Sequence, residues 1–277
     1  MISPSVLIFV SIIAGFVGAL SGMGGGIILI PALTFFGLDI KQAIALSMIS
    51  VIATSSGAAS AYARDHLTNL KVGMFLEMFT MMGALAGASI TVVSGQRFLF
   101  LIFGMVLLLS WGMSLVQYRA VWKPASRQDR FSQWLELEGK YYDQTEHRVV
   151  EYKAVRAPIG GVLMFIAGMI AGLLGIGAGA VKVLIHDLIM KLPPKVSTTT
   201  SNLIIGVTAL AGTGVYLSAG FIRPGLAALV ILGVVIGSFL GTRLFVRLSN
   251  QAVRWFFLVV LLALGVQMIW RGIRGVA

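Results

Sequence analysis

Eight near-continuous apolar runs divide the chain, from about Ser3 to Leu20, Gln42 to Tyr62, Val72 to Val93, Phe98 to Val116, Pro158 to Leu174, Val196 to Leu217, Pro224 to Leu240 and Val253 to Ile269. Polar residues crowd the gaps. Each run is long enough for a helix to cross a bilayer, which takes roughly 20 residues at about 1.5 Å rise. Two shorter apolar pieces, Ile27 to Leu38 and Ala180 to Met190, are too short to span alone and predict half-helices or re-entrant segments. The pattern predicts an all-α integral membrane protein of about eight transmembrane helices.

The pattern is also doubled. Gly22, Gly24 and Gly26 recur as Gly175, Gly177 and Gly179, each pair 153 residues apart, and Gly15 with Gly168 keeps that spacing. Further along, Lys41 and Lys195, Ser47 and Ser201, Tyr62 and Tyr216, Gly83 and Gly237, and Gly87 and Gly241 are 154 apart, as one inserted residue would give. The organisation expected is a first transmembrane repeat over 1–118, a charged linker over 119–156 and a second repeat over 157–277, each repeat with a glycine-rich break and a short half-helix.

Composition agrees. With 58% hydrophobic and 11% charged residues and a mean hydropathy of +0.95, the chain cannot hide its apolar surface from water, and a bilayer is its natural solvent. The +11 net charge does not point to nucleic acid. The linker carries eight basic residues (Arg119, Lys123, Arg127, Arg130, Lys140, Arg148, Lys153, Arg156) against six acidic ones (Asp129, Glu136, Glu138, Asp143, Glu146, Glu151), a balance unlike a basic arm. Trp122, Trp134, Tyr141, Tyr142 and Tyr152 suit it to amphipathic surface structure at the headgroups.

Four crossings per repeat would put both termini and the linker on one face. That face would hold thirteen basic residues and the other seven, which orients termini and linker towards the cytoplasm of a multi-pass protein of the cell membrane. The first run lacks the basic start of a secretory signal, and its repeat partner lies mid-chain, so it reads as a spanning segment. There is no cysteine, hence no disulfide framework or thiolate site.

Candidate chemistry sits at the breaks. Glycine disfavours helix by about 1 kcal/mol relative to alanine, so Gly22-Met23-Gly24-Gly25-Gly26 and Gly175-Ile176-Gly177-Ala178-Gly179 favour unwound backbone. Such backbone at membrane depth must be buried in protein or line a wet cavity. A half-helix starting there aims free N–H groups and a positive dipole end at an anion. The same glycines also serve close helix packing, but their duplication ahead of short half-helices favours a site. Lys182, three residues after Gly179, adds an ammonium, and its counterpart is Leu29, so the charge is supplied once. The alternative is a lysine reaching an interface.

Ser47 in the first repeat, and Thr200, Ser201 and Asn202 in the second, offer hydroxyl and amide groups that replace an oxyanion's water, or that cap and back-bond helices. Glu77, His186 and Asp187 are candidates for proton coupling. Gly83 with Gly87, and Gly237 with Gly241, have the spacing of close-packing helices.

At these residues the chain resembles the sulfite exporter TauE/SafE family, also called the 4-toluene sulfonate uptake permease family. The likeness lies in Gly15 through Gly26 with Pro31, in Gly168 through Lys182, and in Leu192-Pro193-Pro194-Lys195-Val196-Ser197-Thr198-Thr199-Thr200-Ser201-Asn202 continuing through Gly206-Val207-Thr208 to Tyr216. It covers both repeats and leaves the linker unmatched. Ala178 stands where Gly25 would be matched, and Leu184 where Pro31 would be. The resemblance implies a transporter of small sulfur-containing anions such as sulfite or sulfoacetate, with the two glycine loops, Pro31, Lys182 and Thr200-Ser201-Asn202 as site elements.

The expected function is therefore secondary, gradient-driven transport of a small inorganic or organic sulfur anion, export coupled to protons in particular. An anion channel using the same positive site is the alternative. The partners are that anion and the lipid bilayer, with a homo-oligomer as a further possibility. No metal or other cofactor is expected. Three histidines (His66, His147, His186) and the lack of a metalloprotease, nucleophile-elbow or phosphate-loop motif argue against an enzyme, so no residue is assigned as catalytic.

Overall fold

The computed structural model describes residues 3–21, 25–64, 68–117, 127–143, 148–245 and 250–275. Its helices are α1 (Pro4–Ser21), α2 (Gly26–Phe35), α3 (Ile40–Arg64), α4 (Leu70–Val93), α5 (Gln96–Gln117), α6 (Arg130–Trp134), α7 (Ala157–Leu174), α8 (Gly179–Leu184), α9 (Pro194–Ser218), α10 (Pro224–Phe245) and α11 (Asn250–Arg274). α8 runs on into a π-helical turn, Ile185–Ile189. Five helices (70–93, 96–115, 157–174, 194–218 and 224–241) are long and apolar enough to cross a membrane within their described residues. Met74, Met78 and Met82 form an exposed apolar stripe along α4, as a lipid-facing surface requires.

Helix ends follow local chemistry. The Asn69 side chain caps α4 by accepting from the Val72 N–H at 3.0 Å. Pro194 opens α9, where a missing N–H costs nothing. Gly175 closes α7 in the left-handed conformation, φ 68°.

The halves pack reciprocally. α1 lies along α10 and α4 along α7, while α3 pairs with α9 and α5 with α11. A Cβ at Gly83 of α4 would fall on the Phe165 carbonyl of α7, and one at Gly237 of α10 on the Ile12 carbonyl of α1. Gly168 meets Thr80 as Gly15 meets Val234. These glycine contacts recur between the two helix pairs at the offsets of 153 and 154. In both pairs the contact positions advance together, and the paired helices run parallel.

Ends of the bundle are identified by their contacts. At one end, the Lys41 ammonium at the start of α3 donates to the Val92 carbonyl of α4 at 2.7 Å, and Lys41 also stands over the Phe221 ring just past α9. Arg271 of α11 stands over the Phe35 ring of α2, and Leu7 of α1 lines a cavity with Leu38 and residues 222–226. At the other end, Asn69 meets Thr200 near the start of α9, and the Val155 N–H donates to the Met190 carbonyl at 3.1 Å.

This corrects the expectation of four full crossings per half. α1 leaves one end of the bundle and α2 returns to it. α7 leaves the opposite end, and the α8 segment returns there beside α7's own start. Both pairs are helical hairpins entering from opposite ends, and their tips touch. Hydropathy counts α1 and α7 as spans because their length suffices, but direction depends on tertiary contacts. The N-terminal start of α1 and the end of α11 consequently lie at the end opposite the linker, which corrects their placement on one common face.

The linker departs from the all-α expectation too. Glu138–Asp143 (β1) and Arg148–Lys153 (β2) pair antiparallel, from Glu138 opposite Lys153 to Asp143 opposite Arg148. Leu137, Tyr152 and Ala154 are buried with Val72, Leu76 and Met164 in the bundle's second apolar cluster. Lys71 pairs with Glu136, and Gln128 Nε2 donates to the Leu137 and Ala154 carbonyls. Of the five aromatics expected at headgroups, Trp134 is exposed, while Tyr152 is buried because its hydroxyl accepts from Asn69 Nδ2 at 3.0 Å. Trp122 lies outside the described residues.

Candidate functional site

The hairpin tips bring the two glycine breaks together. A Cβ at Gly26 would overlap the Ser47 hydroxyl and come within 2.7 Å of the Gly175 carbonyl oxygen. The fully buried Ser47 donates to that carbonyl at 2.6 Å. The second break is unwound as its composition predicts, with Gly175, Gly177 and Ala178 at φ 68°, 69° and 49°. Only glycine adopts that region freely, so Ala178, which caps α8, is held there by its surroundings. In the first break, Gly25 caps α2 and approaches Ser50, while Gly22 and Gly24 lie outside the described residues. Pro31 is buried within α2, where Thr34 donates to its carbonyl at 3.0 Å.

Lys182 is wholly buried on the return arm of the second hairpin, so it does not reach an interface. Its ammonium donates to Thr208 Oγ1 of α9 at 3.0 Å. That hydroxyl lies 2.6 Å from the Ile204 carbonyl and 3.3 Å from Glu77 Oε1 on half-buried α4 surface. Glu77 and Lys182 are thereby joined through one hydroxyl and feel each other's charge.

One turn beyond Lys182, His186 is also fully buried, with Nδ1 3.3 Å from the Ser197 carbonyl. His186 Nε2, Ser197 Oγ, Ser201 Oγ and Ser50 Oγ have no hydrogen-bond partner among the described residues. Native structures pair nearly all buried polar groups, so each unpaired one calls for a reason, of which a water or a bound solute is one. Ser197, Ser201 and Thr208 share one face of α9, and α9 meets Lys182 through Thr208 and His186 through the Ser197 carbonyl.

The remaining candidates are dispersed. Thr200 accepts from the Asn69 N–H at 3.2 Å and belongs to the linker contact. Asn202 is half-buried on α9, and Asp187 half-buried in the π-helical turn. Among described residues no cluster of histidine, cysteine, aspartate and glutamate suits a metal.

Two cavities among the described residues differ in their relation to this region. One, of about 440 Å³, is apolar, lined by Leu7, Leu38 and residues 222–226, and holds none of the candidate residues. The other lies at the second tip, between Ile27, Ser110, Ile176, Ala178, Gly179 and Val181. At about 10 Å³ it admits one water.

Thr208 was missed as a site residue by sequence reasoning. Its signal was its place on the α9 face of Ser197 and Ser201, opposite the intramembrane lysine.

Comparison with known proteins matches residues 7–268 to the family model of the sulfite exporter TauE/SafE family. Over 276 residues the chain is 26% identical to "Probable membrane transporter protein YunE" of Bacillus subtilis (strain 168), covering 97% of this chain and 98% of that protein. It is 25% identical over 240 residues to "Probable membrane transporter protein YdhB" of the same organism, covering 86% and 87%. No solved structure matches.

Proposed function

This chain belongs to the sulfite exporter TauE/SafE family of membrane transporters, and from that premise we propose that it is a secondary transporter moving a small sulfur oxyanion, sulfite or an organosulfonate such as sulfoacetate, out of the cell. The observation that carries this reading is a wholly buried ammonium, Lys182, one turn beyond an unwound glycine loop. A wholly buried charge is costly and is kept where it serves a charged solute.

The binding region comprises the two breaks (Gly22, Gly24, Gly25, Gly26 and Gly175, Gly177, Ala178, Gly179), with Ser47 between them. Lys182 supplies charge, and Ser201 and His186 supply the unpaired polar groups. Thr200 and Asn202 support α9 behind it. The tip cavity is far smaller than a sulfonate, so binding requires the tips to part. Two hairpins entering from opposite faces, one in each of two inverted repeats over 1–118 and 157–277, offer the two arrangements that alternating access needs. The reading comprises six full crossings and two re-entrant hairpins.

Orientation follows from the same topology. On the linker side, the linker's eight basic residues with Arg64, Lys71, Lys191, Lys195, Arg243, Arg247 and Arg254 make fifteen. On the other side, Lys41, Arg97, Arg223, Arg271 and Arg274 make five. The linker therefore faces the cytoplasm and the termini face outward.

Uptake of labelled sulfite, sulfoacetate, thiosulfate and sulfate into proteoliposomes, with and without a pH difference, tests the reading. Saturable flux of at least one anion, abolished by Lys182→Ala with folding intact, is the expected result. Failure of all four anions to move, or flux unchanged in that variant, would refute it.

A further inference from the structure

Lys182 has a described hydrogen-bond partner, and it is a hydroxyl rather than a carboxylate. A carboxylate whose charge Lys182 feels, Glu77, stands on the far side of Thr208. A buried ammonium needs a counter-charge, and in this arrangement Glu77 supplies it at one remove. A substrate anion would ask the same ammonium for the same neutralisation. Glu77 and the anion together would leave surplus negative charge in a low-dielectric interior, where like charges repel strongly.

We propose that Glu77 is the built-in competitor of the transported anion for Lys182, with Thr208 as the positioning hydroxyl between them, so that each anion enters with one proton. The inference rests on the anion-transport reading above. The Glu77 carboxylate accepts a proton from solution, forming one O–H bond. Lys182 then exchanges its partner for the anion, and departure of the anion returns the ammonium to Glu77 as the proton leaves.

The surroundings suit that exchange. Glu77 lies eight residues past the Asn69 cap, about 12 Å along α4 from its linker end, and is half-buried. The groups facing the pair are Lys182 and His186 on the hairpin arm, with Asp187 beside them, and the Thr80 hydroxyl on α4 itself. α7 carries no acid or base, and α9 brings Lys195 in its first turn and Tyr216, whose hydroxyl is bonded to the Gly172 carbonyl. Lys71, on α4's first turn, is held by Glu136. In the first half the matching positions hold Leu29 and Thr54, and Ile231 matches Glu77, so the charge pair occurs once.

Sulfoacetate is the suitable probe, because its own charge does not change between pH 6 and pH 8. In proteoliposomes of the full chain, its half-saturation concentration should weaken with rising pH, approaching about tenfold per unit once Glu77 is ionised. An external dye should record one proton taken up per anion. Glu77→Gln should still exchange sulfoacetate across the membrane, but with a flat pH profile and no accumulation driven by a pH difference. Glu77→Asp should restore the slope. Thr208→Val, which keeps both charges, should shift the midpoint of the pH profile without removing its slope. A pH profile for Glu77→Gln parallel to that of the wild type would overturn the proposal while leaving anion transport standing. Wild-type protein that moves no anion would instead remove the reading beneath it.

Discussion

The Ser47 hydroxyl in α3 holds the Gly175 carbonyl at 2.6 Å, binding the core of the first half to the tip of the second half's hairpin. Both groups are buried. Ser47→Ala leaves that carbonyl unpaired and should cost about 1–3 kcal/mol, read as a lower unfolding midpoint in detergent. Ser47→Thr retains a donor and should recover part of the loss.

Close packing at Gly83 makes a second prediction. A side chain there meets the Phe165 backbone, which cannot move aside, so Gly83→Val should separate α4 from α7. Gly237→Val should do the same to α1 and α10. Both should show reduced membrane yield and thermal stability. Gly112, with open space around its Cβ position, should accept alanine with a gain of up to about 1 kcal/mol in helix propensity.

The topology is directly testable because the chain has no cysteine. Single cysteines at Ser5→Cys and Gln133→Cys, both exposed positions, should react with a membrane-impermeant maleimide from opposite faces. Labelling of both from one face would restore the even-crossing arrangement.

Acid should loosen the linker. Asp129 is partly buried, which by itself raises its carboxyl, but the Ser132 hydroxyl and the Arg156 and Ser132 N–H groups outweigh this and hold it below the ordinary aspartate value. A lowered folded-state value means that the stabilisation is present above the ordinary pKa, about 3.9, and is lost as pH falls through the lowered one. The wild-type linker should resist proteolysis at neutral pH and yield in acid. Asp129→Ala, which removes the α6 cap at a cost of about 0.5–2 kcal/mol, should be cleaved more readily already at pH 7.

The sequence carried the helical class, the family and the unwinding of the second break, because each depends on composition or local backbone preference. Gly175 and Gly177 announce left-handed backbone whatever surrounds them. Whether α1 crosses or returns is another matter, since its 18 residues have the hydropathy of a span either way and only Leu7 beside Leu38 reveals the return. The linker strands are rich in β-formers such as Tyr141, Tyr142, Val149 and Val150, yet a charge census treats those residues as surface. The Thr208 bridge joins residues of α4, α8 and α9, and no local pattern encodes a contact among three elements.

The docked β-hairpin gives the molecule an external handle. Through Asn69 it grips the helix of Glu77 and, by way of Thr200, the helix of Thr208. Through the bond from Val155 to Met190 its trailing segment grips the arm that carries Lys182. Any rearrangement of the three buried partners must therefore tug on a water-facing structure, where an antibody fragment or a cross-link can stall the cycle without entering the bilayer.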